Sequence, residues 1–144
     1  MKKFFFAAII AISTITSAFA AETVNRSVLH NFNADFNNAT NITWSAKEQF
    51  AKATFTVNNV KMEAYYNVQG ELVGSAKAVS LDELPVGAKR TFAKKFSGYT
   101  VKEVIKMESA DDSAFYISAE NDTQSVIFKV SDSDQLTTFK RTRK

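Results

Sequence analysis

The fold of this chain is decided by two similar stretches, FNADFNNATNITW at residues 32–44 and FAKKFSGYTVKEV at residues 92–104. Each begins with two phenylalanines four residues apart, a spacing that puts both rings on one face of an α-helix. Alternating, strand-like runs follow each pair. The constant offset of 60 residues predicts one unit, a helix followed by four antiparallel strands, that occurs twice in tandem. We therefore expect an α+β fold, with a first repeat at residues 21–80 and a second at residues 81–144 forming one compact unit.

The first repeat carries the clearer pattern. Apolar residues at three- and four-residue spacing predict a helix over residues 24–37, and residues 40–79 predict four strands. The second and third strands turn at Asn58-Asn59, a pair that tolerates the positive φ of a two-residue hairpin. The register then pairs Val57 with Val60, Phe55 with Met62, Ala53 with Ala64, and Ala51 with Tyr66. Because all these residues are apolar, one sheet face is expected to be core and the other polar apart from its aromatics.

The fourth strand is expected to continue the core face. A three-residue loop, residues 68–70, would place Tyr66 opposite Leu72, Ala64 opposite Gly74, and Met62 opposite Ala76. On the first strand, Ile42 and Trp44 are expected on the same face.

The second repeat is expected to begin with a short capped turn after Ser80 and a helix that starts near Pro85. Its strands are predicted at residues 100–108, 113–120, 123–130 and 135–141. A turn at Asn121-Asp122 would pair Ile117 with Val126 and Phe115 with Phe128, and a loop at residues 132–134 would pair Val130 with Leu136. The opposite face would then hold Tyr116 beside Ile127, with Phe139 across from Ile127.

Residues 1–20 have the pattern of a cleaved signal peptide. Lys2 and Lys3 precede a short apolar run, and Ala18-Phe19-Ala20 is a small-x-small cleavage site. The apolar run is shorter than the roughly 20 residues that cross a bilayer, so no membrane span is expected after cleavage; an uncleaved anchor is the alternative. The predicted location is the periplasm or the exterior of a Gram-negative bacterium.

Charge and cysteine content exclude several classes of function. Without the leader lysines, 16 basic residues remain against 15 acidic ones, so the mature chain is nearly neutral. The basic residues Lys140, Arg141, Arg143 and Lys144 are interpreted as a frayed, solvated tail rather than a nucleic-acid site. The chain has no cysteine, which excludes disulfides, thiolate nucleophiles and zinc–thiolate sites.

No residue set indicates a catalytic, metal or cofactor site. His30 is the only histidine, and no serine motif accompanies it as a triad would require. The aspartates at residues 111–112 and at Asp132 and Asp134 fall short of a calcium loop and are typical of turns. We therefore predict no catalytic residues, no metal ligands and no cofactor.

The remaining candidate is the sheet face away from the helices. Its aromatic and apolar residues are predicted to be Phe50, Tyr65 and Val73 in the first repeat and Tyr116, Ile127 and Phe139 in the second. Exposed aromatics with lysines and a glutamate around them are typical of a protein-binding surface. The alternative is that these residues are buried by the other repeat or by a dimer partner.

The chain also resembles a known family in the stretches at residues 32–44, 63–74 and 84–85, which include Trp44, EAYYNVQGELVG and Leu84-Pro85. It is similar to the beta-lactamase-inhibitor-like, PepSY-like proteins that Bacteroidetes-type bacteria export. The resemblance covers nearly all of the mature chain, although Val104 replaces the tryptophan in the second repeat. It implies helices packed on one face of an antiparallel sheet and a non-enzymatic, periplasmic or secreted role. No functional residues are carried over from it.

The sequence therefore favours two functions. The first is an exported binding module that recognises a protein or peptide, for example a peptidase or another hydrolase that it inhibits, through the face away from the helices. The second is a self-associating structural or envelope-associated protein, a homo-oligomer. An enzyme using carboxylates is a distant third, because no base, nucleophile or metal ligand set is present.

Overall fold

The computed structural model describes residues 24–47 and 49–144; the predicted leader, residues 1–20, lies outside them. The first half contains α1 (Arg26–Asp35), β1 (Thr40–Lys47), β2 (Phe50–Val57), β3 (Val60–Asn67) and β4 (Leu72–Val79). The second half contains a 3-10 turn (Leu81–Glu83), α2 (Val86–Lys95), β5 (Thr100–Ser109), β6 (Ser113–Glu120), β7 (Gln124–Val130) and β8 (Leu136–Arg143). The predicted helix-plus-four-strand order is confirmed in both halves.

All eight strands form a single antiparallel sheet whose spatial order follows the chain from β1 to β8. The two halves meet where β4 pairs with β5, with Val79 opposite Val104 and Ala76 opposite Met107. The sheet is therefore continuous across the junction, and the α+β fold class is confirmed.

Both helices pack on the same face of this sheet, and each covers its own hydrophobic core. In the first core, Phe32 of α1 packs with Phe55 and Tyr66 of the sheet, among others. In the second core, Phe92 of α2 packs with Phe128 of the sheet, among others. The two cores are separate clusters because the residues between them on this face are polar.

The polar strip between the cores lies on β4 and β5. By register, Ser75 lies opposite Glu108 and Lys77 opposite Lys106. Two lysines directly opposite each other repel, and the carboxylate of Glu108 compensates with an oxygen 2.5 Å from the Lys106 Nζ. The Lys106 hydrogen bond outweighs partial burial of the carboxyl, so the pKa of Glu108 is lowered.

Local sequence explains how α1 is placed. The side chain of Asn25 accepts a hydrogen bond from the Ser27 N–H, which caps the helix. At the other end, the Tyr66 hydroxyl donates to Asp35 at 2.9 Å. The buried ring of Phe32 sits between these ends, 4.9 Å from the ring of Phe55 and 5.0 Å from that of Trp44.

The hairpin between β2 and β3 is confirmed as predicted. Asn58 and Asn59 both take positive φ, 50° and 65°, and every predicted pair from Val57–Val60 to Ala51–Tyr66 is present.

The predicted register of β4 is wrong by one residue beyond Leu72. Leu72 lies opposite Tyr66 as expected, but Gly74 lies opposite Tyr65 and Ala76 opposite Glu63. Val73 is the extra residue of a bulge. Every residue of β4 after Val73 therefore lies on the face of the sheet opposite to the predicted one. The shift brings Val79 onto the helix-bearing face, where it packs against the second core.

A second bulge displaces Ile42, which was expected on the core face. The register skips between Thr40 and Thr43, and Asn41 adopts a positive φ of 52°. Ile42 is 42% exposed, whereas Trp44 packs against the first core as predicted.

The second half departs from the predicted pairing at the hairpin of β6 and β7. Asn121 accepts hydrogen bonds from the N–H groups of Thr123 and Gln124, which makes a longer loop than the predicted two-residue turn. Ile117 therefore lies opposite Phe128, and Phe115 opposite Val130. Because this shift is two residues, the predicted faces are unchanged.

The C-terminal residues are not a frayed tail, which corrects the prediction. β8 continues to Arg143, opposite Gln124, and the Lys144 N–H donates to the Thr123 carbonyl at 3.0 Å. The ammonium of Lys144 also lies 3.1 Å from Glu120. Backbone pairing and this ion pair hold the chain end in the sheet.

Candidate functional site

The face of the sheet away from both helices, called the open face from here on, carries most of the predicted site residues. Phe50 and Tyr65 lie on it in the first half, because their strand neighbours Ala51 and Tyr66 point into the core. Tyr116 and Ile127 lie on it in the second half for the same reason.

The second half brings three of the predicted residues into one cluster. The rings of Tyr116 and Phe139 meet edge to face, with centroids 5.3 Å apart and an interplanar angle of 81°. Ile127 lies one strand over, opposite Ser118. The prediction that Phe139 lies directly across from Ile127 is wrong. Lys140 lies opposite Ile127, and Phe139 is the extra residue of a bulge. The bulge nevertheless leaves its ring against Tyr116, and all three side chains are half-buried.

A lysine covers the other side of this cluster. Lys129 lies opposite Tyr116, with its Nζ 5.9 Å from the ring centroid, and the same Nζ lies 3.2 Å from a carboxylate oxygen of Asp112. Partial burial disfavours the charged ammonium, but the hydrogen bond to Asp112 and the nearby Tyr116 raise the pKa of Lys129 overall. The cation is therefore held over the tyrosine ring.

The first half has a related cluster of different character. Lys52 lies opposite Tyr65, and its Nζ is 3.3 Å from a carboxylate oxygen of Glu63. The Tyr65 hydroxyl donates a short hydrogen bond to the other oxygen of Glu63. Burial, then the hydrogen bond and the negative charge of Glu63, raise the pKa of Tyr65.

Tyr65 is only 2% exposed, so the structure places it among the buried residues rather than among exposed aromatics. Phe50 is half-buried and lies diagonally from it across the β2–β3 pair. Val73 lies at the β4 bulge, where strand alternation no longer fixes its face. The predicted residues of the first half therefore do not form one accessible cluster as those of the second half do.

The centre of the open face was missed by sequence reasoning. β4 contributes only small residues there, Gly74, Ala76 and Ala78, while β5 contributes Ile105 and Met107. Ile105 lies directly opposite Tyr116 and extends the apolar cluster toward the middle of the sheet. The alternation of residues 104–107 was a usable signal, since Val104 was already matched to Trp44 of the core.

Other candidate chemistry is not assembled in the described chain. His30 is exposed on α1. Within residues 24–47 and 49–144, no group of three or more His, Cys, Asp or Glu residues is arranged to hold a metal ion. Over the same residues, no helix is both long and apolar enough to cross a membrane.

Solved structures share this fold. No protein-family model and no curated protein matches the chain. A "putative periplasmic" protein from Bacteroides eggerthii DSM 20697 superposes with a TM-score of 0.75 at 17% identity, covering 84% of this chain and 89% of that one. A DUF2874 family protein from Bacteroides ovatus ATCC 8483 gives 0.72 at 20%, covering 85% and 89%.

A third neighbour is named for its fold. It is a BLIP-like protein from Bacteroides fragilis NCTC 9343, with a TM-score of 0.69 at 16% identity, covering 86% of this chain and 89% of that one. At these identities the similarity shows the fold, an eight-stranded antiparallel sheet with two helices of the BLIP-like kind.

Proposed function

We propose that the chain is an exported, non-enzymatic binding module of the beta-lactamase-inhibitor-like, PepSY-like group, and that it recognises a protein or peptide through its open face. The observation that carries the proposal is the cluster of Tyr116, Phe139 and Ile127 with Lys129 over the tyrosine ring. Aromatic anchors inside a polar rim are what protein-binding surfaces use. The BLIP-like fold, the periplasmic name of one neighbour and the leader pattern at residues 1–20 support export and binding.

Partial burial distinguishes this cluster from a core. The Tyr116 ring contacts Phe139 and lies under the Lys129 cation, yet Tyr116 and Phe139 each keep part of their surface on the open face. Contact between the two rings fixes their orientation before any partner arrives, so little side-chain entropy remains to be lost on binding. A preformed aromatic pair therefore gives a partner an anchor on the open face.

The decisive experiment is affinity capture from the envelope and culture fluid of the producing organism, with residues 21–144 as bait. The test variant is Tyr116→Ala/Phe139→Ala, checked for an unchanged fold by circular dichroism. Val86→Ala is the matched control, because Val86 is an exposed apolar residue at the start of α2, on the other side of the sheet.

A partner retained by the wild type and the control but lost by the double variant would support the proposal. Recovery of the chain alone, with a mass in solution that rises with concentration, would favour the self-associating alternative instead. Loss of folding in the double variant would show that the two rings belong to the core, and would remove the site assignment.

A further inference from the structure

The charges around the apolar cluster point to the chemistry of the partner. By register, the open face carries Lys47 opposite Phe50, Lys61 opposite Thr56, and Lys140 opposite Ile127, in addition to Lys52 and Lys129. Lys52 and Lys129 are neutralised by Glu63 and Asp112. Among the described residues, Lys47, Lys61 and Lys140 form no ion pair, and all three are exposed. Lys47 lies on β1 at the far edge of the sheet, which leaves Lys61 and Lys140 nearer the cluster.

These two lysines bracket the cluster. Lys61 is on β3 and Lys140 is on β8, five strand spacings apart, or about 24 Å at the usual strand separation. Ile105, Tyr116 and Ile127 lie on the strands between them. A patch of this width is smaller than the roughly 800 Å² that each partner contributes to a standard protein interface, so a partner would extend beyond the two lysines.

The acids of this region are already engaged or few. Glu63 binds Lys52 and Tyr65, and Asp112 binds Lys129. Glu120, opposite Ser125, is engaged by Lys102 and Lys144. Among the described residues, Glu103, opposite Ser118, is a carboxylate of this region without an ion pair. A basic partner would find few free acceptors and would face the uncompensated ammonium groups of Lys47, Lys61 and Lys140, whereas an acidic partner would meet them favourably. A nucleic acid fits less well, because an apolar patch separates the lysines and no continuous basic stripe follows the face.

Resting on the proposed function of the open face, we infer that the partner presents an apolar centre flanked by carboxylates: an acidic protein surface or peptide loop. The rim lysines act mainly on the rate and selectivity of association, since they stay hydrated, while Tyr116 and Phe139 supply the anchor.

The probe is a display library of disulfide-constrained random peptides, selected against immobilised residues 21–144. We expect recovered peptides to carry Asp or Glu on both sides of an aromatic or aliphatic residue. Their association should weaken about tenfold in Lys61→Glu/Lys140→Glu and should fall as ionic strength rises from about 0.05 to about 0.3 M. Lys94→Glu/Lys95→Glu is the control for net charge, because both lysines are exposed on α2, on the other face, and their reversal changes the net charge by the same amount.

The outcomes separate this inference from the function it rests on. Some peptides could require Tyr116 and Phe139 for binding and yet be neutral or basic, or bind the charge-reversed variant equally well. Either result would overturn the inference of an acidic partner and would leave the binding face in place. Equal loss in Lys94→Glu/Lys95→Glu also overturns the inference, since net charge alone would then explain the effect. Tighter binding to a single-stranded oligonucleotide than to any acidic peptide would do the same. Peptides unaffected by Tyr116→Ala/Phe139→Ala overturn the open face itself.

Discussion

The two halves of the sheet build the same core from different residues. One row across the first half reads Trp44, Ala53, Ala64, and the equivalent row of the second half reads Val104, Ile117, Phe128. The next row compensates: Phe55 and Met62 in the first half correspond to Ala119 and Val126 in the second. Large side chains have exchanged places with small neighbours, so each core is filled while few single positions match.

The same exchange occurs where each helix approaches the turn between the third and fourth strands of its half. In the first half the turn residue Gly70 has a φ of +88°, and a Cβ there would lie 2.9 Å from the Ser27 hydroxyl. In the second half the glycine is on the helix, Gly87, and the turn residue is Asp134, also at positive φ. Close approach needs one small partner, and either side of the contact can supply it.

The open face shows the same exchange. Lys52 opposite Tyr65 in the first half corresponds to Tyr116 opposite Lys129 in the second. The first tyrosine is buried and bonded to Glu63, whereas the second is half-buried beside Phe139. Both halves thus contain a lysine–tyrosine pair at this position, with an accessible aromatic cluster in the second half.

The largest predicted effect tests whether the helix anchors are equivalent. Phe32 packs against the rings of Phe36, Trp44, Phe55 and Tyr66, and Phe92 against those of Phe96 and Phe128. We expect Phe32→Ala to lower the free energy of unfolding by about 5 kcal/mol and Phe92→Ala by about 3 kcal/mol. Urea unfolding should be followed by two probes: fluorescence of the single tryptophan, Trp44, which reports the first half, and circular dichroism, which reports both.

Coincident transitions for both variants would show that the continuous sheet couples the two cores. A circular dichroism transition of Phe92→Ala that precedes its fluorescence transition would instead show that the halves unfold separately.

The second prediction moves one phenyl ring to the place it has in the other half. Phe55→Ala should cost about 3 kcal/mol through the cavity it leaves, and Ala64→Phe about 1–3 kcal/mol through overpacking. The double variant should be more stable than the sum of these effects by at least about 1 kcal/mol, because Ala119 and Phe128 hold that arrangement in the second half. A thermodynamic cycle by chemical denaturation measures the coupling, and strict additivity would contradict the exchange of volume between rows.

The third prediction separates the two glycines. Gly70→Ala should destabilise the protein by roughly 2 kcal/mol, since positive φ and the contact with Ser27 both oppose a Cβ. Gly87→Ala should stabilise it by about 0.5–1 kcal/mol, because a Cβ there would lie 3.7 Å from Asp134 and alanine favours the helix. Melting temperatures of the two variants should therefore move in opposite directions. A shift of the same sign in both would show that the two helix–turn contacts are not alternatives.

Sequence alone could predict the parts of the fold that depend on local chemistry. Asn58 and Asn59 accept positive φ, and a two-residue loop fixes every pair of β2 and β3. The bulges at Val73 and Phe139 could not be foreseen, because they serve distant packing: the first turns Val79 toward the core of the other half. The length of the loop after Asn121 was predicted wrongly. The Asn121 side chain accepts hydrogen bonds from two backbone N–H groups, which lengthens the turn.

The candidate site was predictable to the same extent. Tyr116, Ile127 and Phe139 were placed on one face because a shift of two residues leaves faces unchanged. The burial of Tyr65 was not predictable. Alternation with Val104 could have placed Ile105 on the open face, but sequence could not show that β4 pairs with β5 and that Ile105 therefore lies near the centre of the sheet.

The smallest predicted effect concerns a hydrogen bond found in one half only. The hydroxyl of Tyr66 donates to Asp35, and the equivalent residue of the second half, Val130, has no hydroxyl. Tyr66→Phe should cost about 1 kcal/mol at neutral pH.

Burial, then the hydrogen bond and charge of Asp35, raise the pKa of Tyr66 above its ordinary value of 10.0. Above that pH the folded state holds a proton that the unfolded state has lost, so the free energy of unfolding falls as the pH rises. Tyr66→Phe should therefore show a shallower alkaline decline than the wild type, and Tyr65→Phe/Tyr66→Phe a shallower one still, because the pKa of Tyr65 is raised in the same direction. Urea titrations at a series of alkaline pH values measure these slopes, and a slope unchanged by both variants would place the alkaline sensitivity elsewhere in the chain.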